Sequence, residues 1–286
     1  MRVWGVILLL CLIAGGFLYW KREPIYLSFL ARKIEQTTLD ERIELLAPSI
    51  DVRLPEHGAP PYPVVMQFHG CAGIRAPFMG QWVDIANEAG YAAVIVDSLK
   101  PRGLDRDPVC DGEALLGQER AGDIYAAVMI AKADPRLDKS TIVLAGWSHG
   151  GWSIMDYLTF DPARRAPPGL TNGAAAPAPA GVIFFYPYCG PGALSRFKPW
   201  KQTPRVLALI AGGDTIVNAD LCIRYFENRR ARDGGVEIAV YPGAEHVFDD
   251  PFLEKEYQSW YNEAYFEDAK SRYAAFLNAL APRTTQ

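Results

Sequence analysis

The chain alternates between short, almost wholly apolar runs and stretches whose apolar positions recur every three or four residues. PVVMQFHG (63–70), YAAVIVDS (91–98), STIVLAG (140–146), GVIFFYP (181–187), PRVLALIAGG (204–213) and VEIAVYP (236–242) are of the first kind. Such Val/Ile/Leu runs are strands covered on both faces, as parallel strands are. PFMGQWVDIANEAG (77–90), EALLGQERAGDIYAAVMIAKA (113–133) and LCIRYFENRRARD (221–233) are of the second kind and predict amphipathic helices between the strands. A further helix is expected after GWSHGG, and a last one from about 264 to 280. The pattern predicts an α/β protein with a mostly parallel central sheet flanked by helices. Ahead of the alternation, 25–40 reads as a short amphipathic helix, and RIELLAP (42–48) and SIDVRLP (49–55) as short strands. APPGLTNGAAAPAPAG (166–181) is low in complexity and reads as a surface loop.

Composition narrows the function classes. Half of the 286 residues are hydrophobic, and the net charge is only -4, which excludes a disordered chain. A pI near 5.7 and the lack of a basic block argue against nucleic acid as a partner. Small molecules fit better.

The N-terminus departs from the rest. VWGVILLLCLIAGGFLYW (3–20) holds no charge and is followed by Lys21 and Arg22. As a helix it rises roughly 27 Å, near the thickness of a bilayer's hydrocarbon core. Trp4, Tyr19 and Trp20 stand near its ends, where interfacial aromatics belong. The run is long for a signal-peptide core and lacks an A-x-A type of cleavage site, so an uncleaved transmembrane anchor is expected over 1–22, then a linker to 41 and one domain over 42–286. Lys21, Arg22, Arg32 and Lys33 favour a cytoplasmic body by charge counting. Cys71, Cys110, Cys189 and Cys222 point the other way, because an even set in the body permits two disulfides in an oxidising compartment. The expectation is a body on the periplasmic or extracellular side. Three pairings are open at this level, as is a set of reduced buried thiols.

The chemistry centres on G-x-S-x-G in GWSHGG (146–151), set between the strand TIVLA and the helix-forming WSIMDYL. A sharp strand-to-helix turn presents a serine oxygen at a sheet edge, so Ser148 is the expected nucleophile. A hydroxyl is weakly nucleophilic at neutral pH and needs a base. The histidines are His57, His69, His149 and His246. His149 is beside the serine, poorly placed to act as its base. On this architecture the order is serine, acid, histidine, which selects His246 after VEIAVYP. Asp214, at the end of VLALIAGG, is the expected acid, ahead of Asp220, which reads as a cap for the following helix. The oxyanion donors are expected to be the His149 N–H and the Cys71 N–H in HGCAG, with His69 organising that loop. Trp147, Trp152 and Phe78 are candidate substrate-binding walls or, equally, core residues. Asp249 and Asp250 read as solvated or capping. No HExxH, CxxC or dinucleotide fingerprint occurs, so neither a metal nor a cofactor is expected.

HGCAG, GWSHGG, GGDTIV and AEHVFDD, in this order, resemble the dienelactone hydrolase family of the α/β-hydrolase superfamily over about 60–250. VDSLKPRG (96–103) followed by Cys110 is similar to exported bacterial members, in which that turn helps shape the pocket rim. The resemblance implies an α/β-hydrolase fold, a Ser148–Asp214–His246 triad and Cys71 and His149 as backbone donors. It also implies that Cys110 lies near Cys71, hence Cys71–Cys110 and Cys189–Cys222 pairs. One departure matters: the enzymes that give the family its name carry cysteine at the elbow, and this chain has serine. The expected activity is therefore broader, hydrolysis of small carboxylic esters or lactones through an acyl-enzyme. A peptidase or acyltransferase on the same residues, and a non-catalytic binding protein, are the other readings.

Overall fold

The computed structural model describes residues 32–161 and 166–281. The expected membrane span at 3–20 and the start of the linker lie outside these residues. Among the described residues no helix is long and apolar enough to cross a membrane.

The elements run α1 (Leu39–Leu46), β1 (Ile50–Arg53), β2 (Tyr62–Phe68), α2 (Ala76–Glu88), β3 (Ala92–Val96), α3 (Arg106–Cys110), α4 (Gly117–Ala133), β4 (Leu137–Trp147), α5 (His149–Tyr157), β5 (Gly181–Phe185), β6 (Arg205–Ala211), α6 (Ala219–Asp233), β7 (Val236–Tyr241) and α7 (Glu263–Leu280). Seven strands form one sheet in the order β1-β3-β2-β4-β5-β6-β7. Only β1 is antiparallel, against β3. The six apolar runs are the six parallel strands. The inner ones are buried on both faces, while β7 at the sheet edge keeps Glu237 and Val240 exposed.

Alternation along the strands divides the core. Val64, Met66 and Phe68 of β2 pack on the face covered by α1, α4, α5 and α6. Val65 of the same strand faces the other side, where Trp82 of α2 and Tyr273 and Leu277 of α7 close the second layer. The chain steps one way from β2 to β3 and the other way from β2 to β4. That reversal opens a crevice at the carboxyl ends of β2 and β4, where ligands bind in open α/β sheets.

Three expectations change. Residues 32–38 are turn and extended chain rather than helix, apart from a bridge between Thr37 and Leu170. RIELLAP is not a strand but the body of α1. Thr38 accepts from the Glu41 N–H and Glu41 accepts from the Thr38 N–H, a capping box that starts a helix where the apolar pattern alone is ambiguous. Finally, α4 is not amphipathic. It is buried without a break from Gly117 to Val128, charged Glu119, Arg120 and Asp123 included.

Those interior charges organise the neighbouring loops. Asp123 Oδ1 accepts from Arg42 Nη1 and from Arg102 Nη2, both at 2.7 Å. Burial alone would raise the Asp123 carboxyl, but the Arg102 and Arg42 guanidinium groups outweigh it and hold the group below its ordinary range. The low-complexity segment packs along this side, with the Tyr125 hydroxyl donating to the Ala174 carbonyl.

Candidate active site

Ser148 sits between β4 and α5 with φ 50° and ψ -110°. A β-carbon-bearing residue rarely adopts such a left-handed geometry, and strain of this kind is stored where function requires it. The turn is held on both sides: the Ser148 N–H donates to Phe185 O at 2.9 Å, and its carbonyl accepts from the N–H groups of Trp152 and Tyr188. The flanking glycines are there for space. A β-carbon on Gly146 would lie 2.7 Å from the backbone of Gly150, and one on Gly150 would lie 2.1 Å from Phe68 O. The G-x-S-x-G spacing is thus a packing requirement for a helix that starts directly against β2 and β4.

Asp214 and His246 meet on the same edge of the sheet, carried by the loops after β6 and β7. His246 Nδ1 is 2.6 Å from Asp214 Oδ2, and the Asp214 side chain is only 1% exposed. Its other oxygen accepts from the Ile216 and Val217 N–H groups, each at 2.9 Å. Glu245 fastens the two loops by accepting from both the N–H and the hydroxyl of Thr215. Asp220 takes no part: it is exposed in the first turn of α6, and the helix cap is Asn218, which accepts from the Leu221 N–H. Ser148 reaches this pair through 185–188. Phe185 and Tyr188 bond its backbone, and the Tyr186 ring packs edge-on against His246 at 4.7 Å. Among the described residues the Ser148 hydroxyl is not hydrogen-bonded to His246. Serine–base contacts commonly close only when substrate is bound.

The loop after β2 runs beside the elbow. A β-carbon on Gly70 would be 3.6 Å from Ser148 Cβ. Neither the Cys71 N–H nor the His149 N–H donates to another described residue. Cys71 and His149 line the same cleft as Ser148, with α5 adding the partial positive charge of a helix start. His69 organises the loop as expected. Its Nδ1 bonds Gly70 O at 2.6 Å and its Nε2 accepts from the Ser98 N–H, so the ring is neutral with its proton on Nδ1. Burial and the Arg120 charge hold it well below the usual histidine range. The same two causes bring His149 down to about 3.

A cleft of about 200 Å³ opens over Ser148. Val109, Leu116, Trp152, Tyr188, Ile216 and Val217 supply its apolar lining. Its wall also contains Cys71 and Cys110, joined as a disulfide, and the carboxylate Asp111. Cys189 and Cys222 form the second disulfide, between the segment after β5 and α6. Among the described residues no group of His, Cys, Asp and Glu converges as a metal site.

Of the aromatics expected to wall the site, Trp152 alone lines the cleft. Trp147 is 2% exposed and stacks on Phe185 at 4.5 Å, while Phe78 packs edge-on against Trp147. Both belong to the core. The alternation of β4 decides this, because it turns Trp147 to the α2/α7 side. Asp249 and Asp250 are likewise not solvated. Asp249 accepts from the Tyr186 hydroxyl and the Trp147 indole N–H, and burial pushes its carboxyl up to about 7. Asp250 pairs with Arg75 at 2.6 Å. Tyr188, Val109, Leu116 and Ile216 carried no signal in the sequence, since apolar residues on loops are ordinarily packing residues.

Comparison with known proteins follows the same lines. A family model described as the dienelactone hydrolase family matches residues 50–281. Among solved structures, a thermophilic esterase from the planctomycete Thermogutta terrifontis superposes with a TM-score of 0.59 at 16% identity, covering 82% of this chain and 91% of that one. Carboxyl esterase 2 of the fungus Tuber melanosporum gives 0.57 at 14% identity, over 82% and 81%. A Klebsiella pneumoniae protein assigned as a dienelactone hydrolase gives 0.61 at 18% identity, over 80% and 91%. These share the fold. A curated protein of Paracoccidioides lutzii, named probable dipeptidyl-aminopeptidase B, is 28% identical over 153 residues, 49% of this chain but only 17% of its own length. The family model takes in the sheet from β1 to β7 and both loops that carry Asp214 and His246, and on that match the chain belongs to the dienelactone hydrolase family.

Proposed function

We propose that the protein is a serine hydrolase that cleaves carboxylic esters or lactones of small molecules through an acyl-enzyme. One observation carries the reading: a serine in strained left-handed geometry lines a cleft together with Cys71 and His149, on the edge that also holds the Asp214–His246 pair. His246 takes the Ser148 proton as the oxygen attacks the ester carbonyl. The carbonyl oxygen gains the negative charge and is held by the Cys71 and His149 N–H groups. Collapse of the tetrahedral adduct expels the alcohol, which receives the proton from His246. Water then attacks the acyl-enzyme by the same route, releasing the acid and restoring Ser148. Asp214 keeps the imidazole proton on Nδ1 and stabilises the imidazolium.

The lining of the cleft bears on the substrate. It offers a carboxylate at Asp111 and no lysine or arginine, so it suits a neutral or cationic ester with an apolar acyl group. Likeness to a dipeptidyl-aminopeptidase favours peptide cleavage as a second reading, separable by comparing an ester with its matched amide. The two disulfides support a body in an oxidising compartment, and the apolar stretch 3–20 supports an anchor that holds it there.

The test is labelling with a fluorophosphonate probe followed by peptide mapping. The adduct is expected on Ser148 and absent from Ser148→Ala. An unlabelled wild type, or an adduct elsewhere, would refute the assignment.

A further inference from the structure

Arg120 is a fully buried cation that the mechanism above does not use. Its guanidinium has no carboxylate within ion-pairing distance among the described residues: Asp123, one turn along the helix, is taken by Arg42 and Arg102. Every group it contacts is neutral. Nε donates to Ser98 Oγ at 3.0 Å. Nη1 donates to His69 O at 2.7 Å and to His149 Nδ1 at 3.2 Å. Nη2 has no partner. An arginine placed this way is costly, since burial penalises a charge that Asp123 and Asp97 offset only from beyond ion-pairing distance. Burial brings it down to about 10, so it still carries its charge at neutral pH.

Its two Nη1 contacts belong to the two segments that flank Ser148. His69 O lies two residues before the Cys71 N–H, and His149 itself supplies the other N–H. The same carbonyl marks how tightly the segments meet, because a β-carbon on Gly150 would come within 2.8 Å of it. The bond to His149 Nδ1 also leaves that ring's proton on Nε2 and fixes the first turn of α5. Ser98 receives Arg120 on its hydroxyl and donates its N–H to His69, so the end of β3 is part of the same clamp.

We propose that Arg120 is a positioning residue for the reaction at Ser148: it ties the β2 loop to the elbow so that both N–H donors converge, and its buried charge, in direct contact with no carboxylate, favours the oxyanion that forms between them. The inference rests on the serine hydrolase reading. It predicts an effect on the transition state rather than on substrate binding, because Arg120 lies behind the donors and outside the cleft lining.

The experiment compares wild type, Arg120→Lys, Arg120→Met and Ser148→Ala on p-nitrophenyl acetate, together with inhibition by a trifluoromethyl ketone and by a matched carboxamide. The ketone forms a charged tetrahedral adduct and the amide does not. Arg120→Lys keeps a charge but cannot span both acceptors, and its kcat is expected to fall about 5- to 10-fold with KM within about 2-fold. Arg120→Met should lose about 100-fold where it folds, as judged by near-ultraviolet circular dichroism. Weakening of the ketone should follow kcat, while the amide binds unchanged. Wild-type kcat in Arg120→Lys, or a loss confined to KM, overturns the role of Arg120 while Ser148→Ala remains inactive. Turnover retained in Ser148→Ala refutes the parent reading instead.

Discussion

His246 Nδ1 and Asp214 Oδ2 are 2.6 Å apart, and the second oxygen of Asp214 is occupied by two backbone N–H groups. The carboxylate is thereby fixed in position, and it presents one acceptor to the imidazole. Asp214→Asn keeps the shape but faces His246 with a group that can act as donor, which favours the wrong tautomer. Ester turnover in this variant is expected to drop by about 10³- to 10⁴-fold in kcat with little change in KM. Steady-state kinetics on a p-nitrophenyl ester would show it.

Asp111 is the one charge on the cleft wall among the described residues. Replacing it by asparagine should raise kcat/KM about 2- to 5-fold for an ester bearing a carboxylate and leave a neutral ester nearly unchanged, because the charge is exposed and screened. The effect should shrink at high salt. An equal gain for both esters would show that charge is not the cause.

Removing Asp123 strands Arg42, 1% exposed, and Arg102, 10% exposed, without their shared counter-ion. Asp123→Ala is expected to cost about 3–5 kcal/mol in urea unfolding, the usual penalty for an orphaned buried charge. The exposed Asp51–Arg53 pair provides the control, and Asp51→Ala should leave the midpoint nearly unmoved.

Asp156 is buried in α5, where its oxygens accept from the Ser195 N–H and the Trp152 indole N–H. Burial nonetheless raises its carboxyl to about 7. The folded protein therefore holds a proton that the unfolded chain releases near its ordinary value. Between about pH 4 and 7 this group's contribution to stability is largest at the acid end and is lost as pH rises, at about 1.4 kcal/mol per pH unit. His149, brought down to about 3, acts in the opposite sense and withdraws stability as pH falls below about 6.5. Urea midpoints measured from pH 4 to 7 should rise more steeply with pH in Asp156→Asn than in wild type. Parallel curves would count against a protonated Asp156.

The two disulfides close loops with sequence separations of 39 and 33 residues. Each is expected to contribute about 3–4 kcal/mol, mainly by restricting the unfolded chain. Alkylation of unreduced protein should leave Cys71, Cys110, Cys189 and Cys222 unmodified, and prior reduction should expose all of them and lower the melting temperature.

Much of the fold is legible in the sequence. Apolar runs of five to seven residues identified all six parallel strands, because strands covered on both faces are dominated by Val, Ile and Leu, and even the edge strand β7 keeps most of that pattern. Ser148, Asp214 and His246 could be chosen by type, order and position at strand ends, since sheet topology gathers those ends on one edge. A short segment such as RIELLAP was not decidable by apolar pattern, and its cap settled it.

What the sequence by itself determined, then, is the layered α/β plan, together with the candidates for a nucleophile, an acid and a base at its strand ends. Only the tertiary structure decided which groups face one another. It turned Trp147 and Phe78 into the core, buried Asp249 under Tyr186 and gave the cleft its lining from loops distant in the chain. It also set Arg120 against His69 and His149, in a helix whose polar residues read as solvent-facing. Strand and helix periodicity is a local property of the chain. Side-chain orientation across loops depends on packing among segments far apart in sequence, and no local pattern records it.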